Sequence, residues 1–303
     1  MPITLPANLP AVESLQKEKV FVMTTQRAIT QDIRPLEIGI LNLMPTKIET
    51  ETQLLRLLSN TPLQLHITLL QMKSHPHKNT PKAHLDEFYC TFEQIKNTPL
   101  DGLIITGAPI ENLPFDNVTY WKELCEVMEW AKTYVFSTLY ICWGAMAGLY
   151  YHYGINKHIL PHKLSGVYPH RVLTPLSRLM RGFDDVFYAP HSRNTEVLEK
   201  DLLVAGLTIM SDSPDAGVYI AASKNRRQFF VTGHSEYDRT TLNKEYMRDK
   251  AQGLNPAPPA NYYKNNDPKQ EPIMTWRSHA YLLFANWLNY YVYQDTPYDL
   301  KKL

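Results

Sequence analysis

Short apolar runs alternate with amphipathic stretches through the first half of the chain. Ile38-Gly39-Ile40-Leu41-Asn42-Leu43-Met44 reads as a buried strand. Beyond Pro45 the apolar positions Leu54, Leu55, Leu57 and Leu58 fall into helical spacing, so a strand, a loop and a helix are expected in that order. Leu65-His66-Ile67-Thr68-Leu69-Leu70, Gly102-Leu103-Ile104-Ile105-Thr106 and Thr138-Leu139-Tyr140-Ile141 repeat the strand signal, with a helical segment over 118–133 between the last two. This rhythm predicts a parallel sheet with crossover helices. From 165 to 212 the pattern weakens, and Val167, Val172, Val186, Phe187, Val204 and Leu207 suggest short, antiparallel pieces added to the sheet. Ala216–Ala221 and Gln228–Thr232 then flank Lys224-Asn225-Arg226-Arg227 as a hairpin. The proline-rich stretch 253–272 is long for a connector, and an ordered surface loop is favoured over a lid. A last helix over 275–293 gathers Trp276, Ala280, Leu283, Phe284, Trp287 and Leu288 on one apolar face. The domain reading is an N-terminal arm, 1–35, and a single α/β domain, 36–303, with no internal repeat.

Composition narrows the function classes. At 303 residues, 44% apolar and 20% charged, the chain can bury a large core. A net charge of +1 supplies no basic field for nucleic acid or anionic lipid, which favours small-molecule chemistry. Cys90, Cys125 and Cys142 have neither paired nor metal-ligand spacing, so no disulfide framework and no metal are expected. His75 and His77 are expected to be solvated. The N-terminus lacks a basic-then-apolar leader and no apolar run reaches membrane-spanning length, so the expected location is cytoplasmic.

One constellation carries chemistry. Cys142 ends an apolar strand and precedes the small-residue helix start Gly144-Ala145-Met146-Ala147-Gly148. A strand-to-helix elbow of that kind exposes a nucleophile, and the helix N-terminus favours its thiolate. Tyr140 occupies the place of the usual first elbow glycine, so the match is partial. His234 and Glu236 follow the predicted hairpin and supply a base and its orienter, and period-two alternation would put both on one face. Taken alone, Cys142 could equally be a buried small apolar residue, and the His-x-Glu pair a solvated strand end. An acyl-cysteine also needs an oxyanion hole. Thr106-Gly107-Ala108-Pro109 suits one, with Gly107, Ala108 and Trp143 as the candidate amide donors.

Six separated motifs resemble the homoserine O-acyltransferase family of methionine biosynthesis over nearly the whole chain. They are Leu43-Met44-Pro45-Thr46-Lys47, Thr106-Gly107-Ala108-Pro109-Ile110-Glu111, Cys142-Trp143-Gly144-Ala145, His162–Tyr168, His191-Ser192-Arg193 and Gly233-His234-Ser235-Glu236-Tyr237. The resemblance implies a class I glutamine-amidotransferase-like, flavodoxin-like three-layer α/β fold, commonly homodimeric. It implies acyl transfer from an acyl-CoA to L-homoserine through Cys142, with His234 as base and Glu236 as orienter. No tightly bound cofactor is implied, and acetyl-CoA is the co-substrate. Lys163, Ser192 and Arg248 match substrate-contacting positions. From the sequence alone, Arg248 would sooner be read as a helical partner of Glu245.

Glu111 matches the position at which the family separates its donors, glutamate going with acetyl-CoA and glycine with succinyl-CoA. The physics agrees: two like charges about 4 Å apart cost roughly 1 kcal/mol in water and roughly 4 kcal/mol at an effective dielectric near 20. The expectation is therefore homoserine O-acetyltransferase, with the O-succinyltransferase as the alternative. Lys47 would favour a succinyl carboxylate if unpaired, and is expected beside Glu111 instead. A glutamine-amidotransferase-like thiol hydrolase and a non-enzymatic protein with a stress-sensing Cys142 complete the alternatives.

Overall fold

Alternation along each strand sorts its side chains onto two faces, and two apolar layers result. On strand β6 (Leu100–Ile105), Ile104 packs in one layer while Leu103 and Ile105 pack in the other; Tyr140 on β7 (Val135–Ile141) lies opposite Leu139 and Ile141 in the same way. The first layer is closed by helices Lys47–Leu58 and Arg277–Trp287, the second by helices Trp121–Tyr134 and Trp143–Tyr153. Each fully buried large apolar side chain in these layers contributes about 1.5–3 kcal/mol. The result is the three-layer α/β architecture expected from the sequence. The structure, a computed structural model, describes residues 3–6, 8–18, 22–24, 34–75 and 79–297. His77 lies outside them.

The remaining strands are β1 (Ile3–Leu5), β2 (Val22–Thr24), β3 (Leu36–Leu41), β4 (Leu65–Gln71), β5 (Tyr89–Thr91), β8 (His158–Val172), β9 (Val186–Glu196), β10 (Thr208–Ser213), β11 (Gly217–Ala222) and β12 (Gln228–Val231). Among the described residues they form one sheet in the order β2-β1-β4-β3-β6-β7-β12-β11-β10-β8-β9, with β5 beside β4. From β2 to β12 the pairings are parallel, and from β12 to β9 antiparallel. Within the N-terminal arm, β1 and β2 extend the parallel half, and helix Pro10–Lys17 buries Ala11, Val12 and Leu15. The region 165–212 departs from expectation. It is dominated by two long strands, β8 and β9, paired over most of their length, rather than by short pieces. Val204 ends a short helix, Glu199–Val204.

The hairpin β11–β12 forms as expected. The stretch 253–272 is an ordered loop pinned at several points. Ala260 donates to the Ser165 carbonyl and accepts from Val167 N–H, Tyr262 is fully buried, and the Tyr263 hydroxyl donates to Asn243 Oδ1 at 2.6 Å. The last helix continues as a π-helical turn over Leu288–Tyr293. His75 is not simply solvated, since its Nδ1 lies 3.2 Å from Thr119 Oγ1 and its ring meets Tyr120 edge-on. No helix among the described residues is long and apolar enough to cross a membrane.

Candidate active site

The carboxyl ends of neighbouring parallel strands bring three loops together. Ile141 is in register with Val231 on β12, and Tyr140 with Ile105 on β6, so Cys142, the Thr106 loop and the segment after β12 start side by side. The Cys142 N–H donates to the Val231 carbonyl at 2.7 Å. Cys142 itself carries the bend, with φ 50° and ψ −116°, and caps helix Trp143–Tyr153. A non-glycine residue held there is strained. Gly144, two places after Cys142, lies inside the helix and not at the bend. A Cβ there would lie 2.5 Å from the Thr106 carbonyl oxygen and 2.8 Å from that of Ile105, so glycine is what allows the helix to seat against the end of β6. Tyr140, in the place of the missing elbow glycine, is fully buried. Its ring stacks on Phe230 and its hydroxyl lies 2.8 Å from His152 Nε2.

His234 and Glu236 meet across 2.6 Å, from Nδ1 to Oε1. Their pairing does not come from strand alternation, because β12 ends at Val231 and the two residues lie in a turn closed by Tyr237 N–H on the His234 carbonyl. With Nδ1–H donated to the carboxylate, Nε2 is left for Cys142. The Tyr237 ring stacks on the imidazole at 4.1 Å, and the His234 N–H donates to the Pro190 carbonyl. Burial works to lower the imidazole pKa. The charges of Cys142 and Glu236, and hydrogen bonds to both, outweigh it and raise the pKa well above the ordinary value.

Gly107 closes this corner: a Cβ on it would come 3.2 Å from Cys142 Cβ and 3.5 Å from His234 Cε1. Its Cα therefore lies close against Cys142 and His234. Trp143 is the first residue of its helix, so its N–H has no intrahelical acceptor. Ala108 is buried beside them.

Glu111 is buried and accepts two hydrogen bonds on Oε2 from Asn194, from the backbone N–H at 2.5 Å and the side-chain amide at 3.1 Å. Burial raises its carboxyl above the ordinary carboxylate range, against the opposing pull of the Asn194 hydrogen bonds, His234 and Lys163. The expected Lys47–Glu111 pair does not form. Lys47 donates to the Asn42 and Met44 carbonyls, lies near the Tyr89 ring, and has Glu51 as its electrostatic partner. Lys47 is the first residue of its helix and its ammonium turns back onto the loop that precedes it, where burial lowers it to about 8.

The residues expected to hold the amino acid meet two carboxylates: Asp249, which sequence reasoning missed, and Glu245, which it read only as a partner of Arg248. Asp249 accepts from Lys163 Nζ at 2.8 Å and from Arg248 Nε and Nη2 at 2.9 and 2.7 Å. Glu245 accepts from Ser192 Oγ at 2.5 Å and from the Tyr237 hydroxyl at 2.8 Å. Arg248 therefore pairs with its neighbour Asp249 and not with Glu245. Helix Thr241–Ala251 carries Glu245, Arg248 and Asp249 together. Arg193, between Ser192 and Asn194, is almost fully buried, and its guanidinium donates to the Thr195 and Ala216 carbonyls and to His191 Nδ1. Its electrostatic neighbours include Cys142 and Glu111. The His191-Ser192-Arg193 motif was the available signal for it.

The sequence pattern of the homoserine O-succinyltransferase family matches residues 2–298. The chain is 60% identical over 301 residues to the homoserine O-acetyltransferase of Brevibacillus brevis, covering 99% of this chain and 98% of that one. It is 57% identical over 304 residues to the homoserine O-acetyltransferase of Acetivibrio thermocellus, covering both in full. Solved structures similar in fold include a glutamine amidotransferase from Thermotoga maritima, with TM-score 0.54 and 12% identity over 85% of this chain and 98% of that one. Another, a glutamine amidotransferase from Methylobacillus flagellatus, has TM-score 0.51 and 11% identity over 88% of this chain and 99% of that one. At such identities the likeness is one of fold, and it agrees with the class I glutamine-amidotransferase architecture. The chain itself belongs to the homoserine O-acyltransferase family and is an acyltransferase.

Proposed function

We propose that the protein transfers an acetyl group from acetyl-CoA to the hydroxyl of L-homoserine through an acyl-Cys142 intermediate, giving O-acetyl-L-homoserine for methionine biosynthesis. The Cys142 thiolate attacks the thioester carbonyl and the carbonyl oxygen becomes the oxyanion. The tetrahedral species collapses with loss of the CoA thiolate, which takes a proton from His234. One thioester replaces another, so this step is near isoenergetic. His234 then accepts the homoserine hydroxyl proton as that oxygen attacks the acyl carbon, and Cys142 leaves as thiolate. Forming an oxygen ester from a thioester runs downhill. Glu236 keeps Nδ1 protonated and stabilises the imidazolium in both steps.

The observation that carries this reading is the line Glu236–His234–Cys142, ending on a cysteine that caps a helix N-terminus beside Gly107. Amide donors in that corner suit the oxyanion, with Gly107, Ala108 and Trp143 in the role. Homoserine presents a carboxylate and an ammonium. Arg248 and Lys163 suit the first, and Glu245, held between Ser192 and Tyr237, suits the second. The acetyl assignment rests on Glu111, a buried carboxylate in electrostatic reach of His234.

The test is intact-protein mass spectrometry after mixing with acetyl-CoA or succinyl-CoA in the absence of homoserine. An acetyl adduct that maps to Cys142, disappears on adding homoserine, and is absent from Cys142→Ala is the expected result. A succinyl adduct without an acetyl one would overturn the donor, and full transfer by Cys142→Ala would overturn the covalent route.

A further inference from the structure

Glu111 is gripped through one oxygen by one neighbour. Both hydrogen bonds it accepts among the described residues come from Asn194, and both fall on Oε2. Asn194 stands two residues beyond Ser192 on β9, so alternation puts the two on the same face of the strand. Nothing in the family motifs drew Asn194 out, because its partner is 83 residues away in sequence.

We propose that Asn194 is a positioning residue for donor choice: its side-chain amide, added to the backbone N–H on Glu111 Oε2, keeps that carboxylate ionised and fixed, so that a succinyl tail meets a charge and an acetyl group does not. The inference rests on the reading of Glu111 as the donor selector. Hydrogen bonds donated to a carboxylate favour its charged form, and those to an ionised acceptor are the stronger kind. Burial opposes them at Glu111. The charged and titratable groups facing Glu111 from other elements are Lys157 ahead of β8, Lys163 on β8, Arg193 on β9 and His234 after β12. As cations they favour ionisation, but only Asn194 both orients the group and bonds to it.

A neutral Glu111 no longer repels a second carboxylate. Discrimination between donors is therefore present above the Glu111 pKa and lost as pH falls through it. The ratio of kcat/KM for succinyl-CoA to that for acetyl-CoA reads this directly, since the nucleophile and base serve both donors alike and their contribution cancels. Glu111→Gly measures the part due to the succinyl group's own carboxylate.

The experiment measures that ratio from about pH 5 to about pH 9 for the wild type, Asn194→Ala, Asn194→Ser, Glu111→Gln and Glu111→Gly. Removing the Asn194 side-chain donor is expected to move the midpoint upward and to raise the ratio near neutrality about three- to tenfold, because one pKa unit is tenfold in protonation. Acetyl-CoA turnover should stay within about threefold of wild type, as for a residue that acts through another. Glu111→Gln should give a high, pH-independent ratio. If both Asn194 variants keep the wild-type ratio and midpoint while Glu111→Gly raises the ratio, the role of Asn194 is overturned and that of Glu111 stands. If Glu111→Gly and Glu111→Gln leave the ratio unmoved, the donor-selector reading fails and takes this inference with it. The paired Asn194 variants guard against a folding defect in either.

Discussion

Replacing Gly144 by alanine tests whether the seating of one helix sets the geometry of the whole corner. The added Cβ would stand 2.5 Å from the Thr106 carbonyl oxygen and 2.8 Å from that of Ile105, both backbone atoms at the end of β6. Restoring an ordinary contact of 3.4 Å requires the helix to withdraw by about 0.9 Å. Cys142 and the Trp143 amide move with it, away from the Gly107 peptide. Overpacking of this kind costs about 1–3 kcal/mol, and alanine returns up to about 1 kcal/mol of helix propensity, so the net loss of stability is expected to be about 0–3 kcal/mol. The rate is more sensitive. A misplacement near 1 Å costs about a hundredfold, so acetyl-CoA and homoserine turnover should fall by that order while the urea midpoint shifts only modestly. The assay pairs initial rates of CoA thiol release with urea unfolding of the same preparation. Turnover within about threefold of wild type would refute the argument that Gly144 seats the nucleophile.

Further expectations follow from the same geometry. Because Cys142 and Glu236 hold the His234 pKa up against burial, that pKa, followed by NMR of the ring, should fall in Cys142→Ser and in Glu236→Gln. An unchanged midpoint in both would remove the electrostatic account. The raised histidine pKa also stabilises the fold: its contribution is full below the unfolded value of about 6.5 and is lost as pH rises through the folded pKa. Asp249→Asn weakens the bridge between Lys163 and Arg248, and should raise KM for homoserine more than it lowers kcat; equal effects on both donors and acceptor would count against it. Gly166→Ala introduces a Cβ 2.6 Å from Ala260 N and O at φ 152°, so the 253–272 loop should lift and become the first site of limited proteolysis, with an unchanged cleavage pattern as the contrary result.

Legibility followed the physics of burial. Strands β3, β4, β6 and β7 are parallel strands of the sheet interior, β12 joins them in parallel on one side only, and apolar runs announce all five. Strands β8 and β9 did not announce themselves as long strands, because much of β8 is partly exposed and prolines at 161, 169 and 190 interrupt the pattern. Three-residue strands such as β1 are too short to show a period. At the site, Cys142 and the His234–Glu236 pair lie next to strong local signals, while their partners do not. Asp249, Glu245 and Asn194 each depend on a side chain distant in sequence, 86, 53 and 83 residues away. Lys47 shows the opposite failure: motif position suggested a role beside Glu111, and the local chain claimed its ammonium first.

The backbone at Cys142 also says something about what the fold gives up to hold its nucleophile. A non-glycine residue at φ 50°, ψ −116° costs on the order of 1–3 kcal/mol, a sizeable share of the roughly 5–15 kcal/mol that separates a typical folded chain from its unfolded state. Stability selection acting alone would place glycine at 142 and recover much of that energy. A glycine there would be thermally hardier and unable to carry an acyl group. The bend is therefore a place where durability and turnover pull in opposite directions. Efforts to harden this protein should look for their gains elsewhere in the sheet.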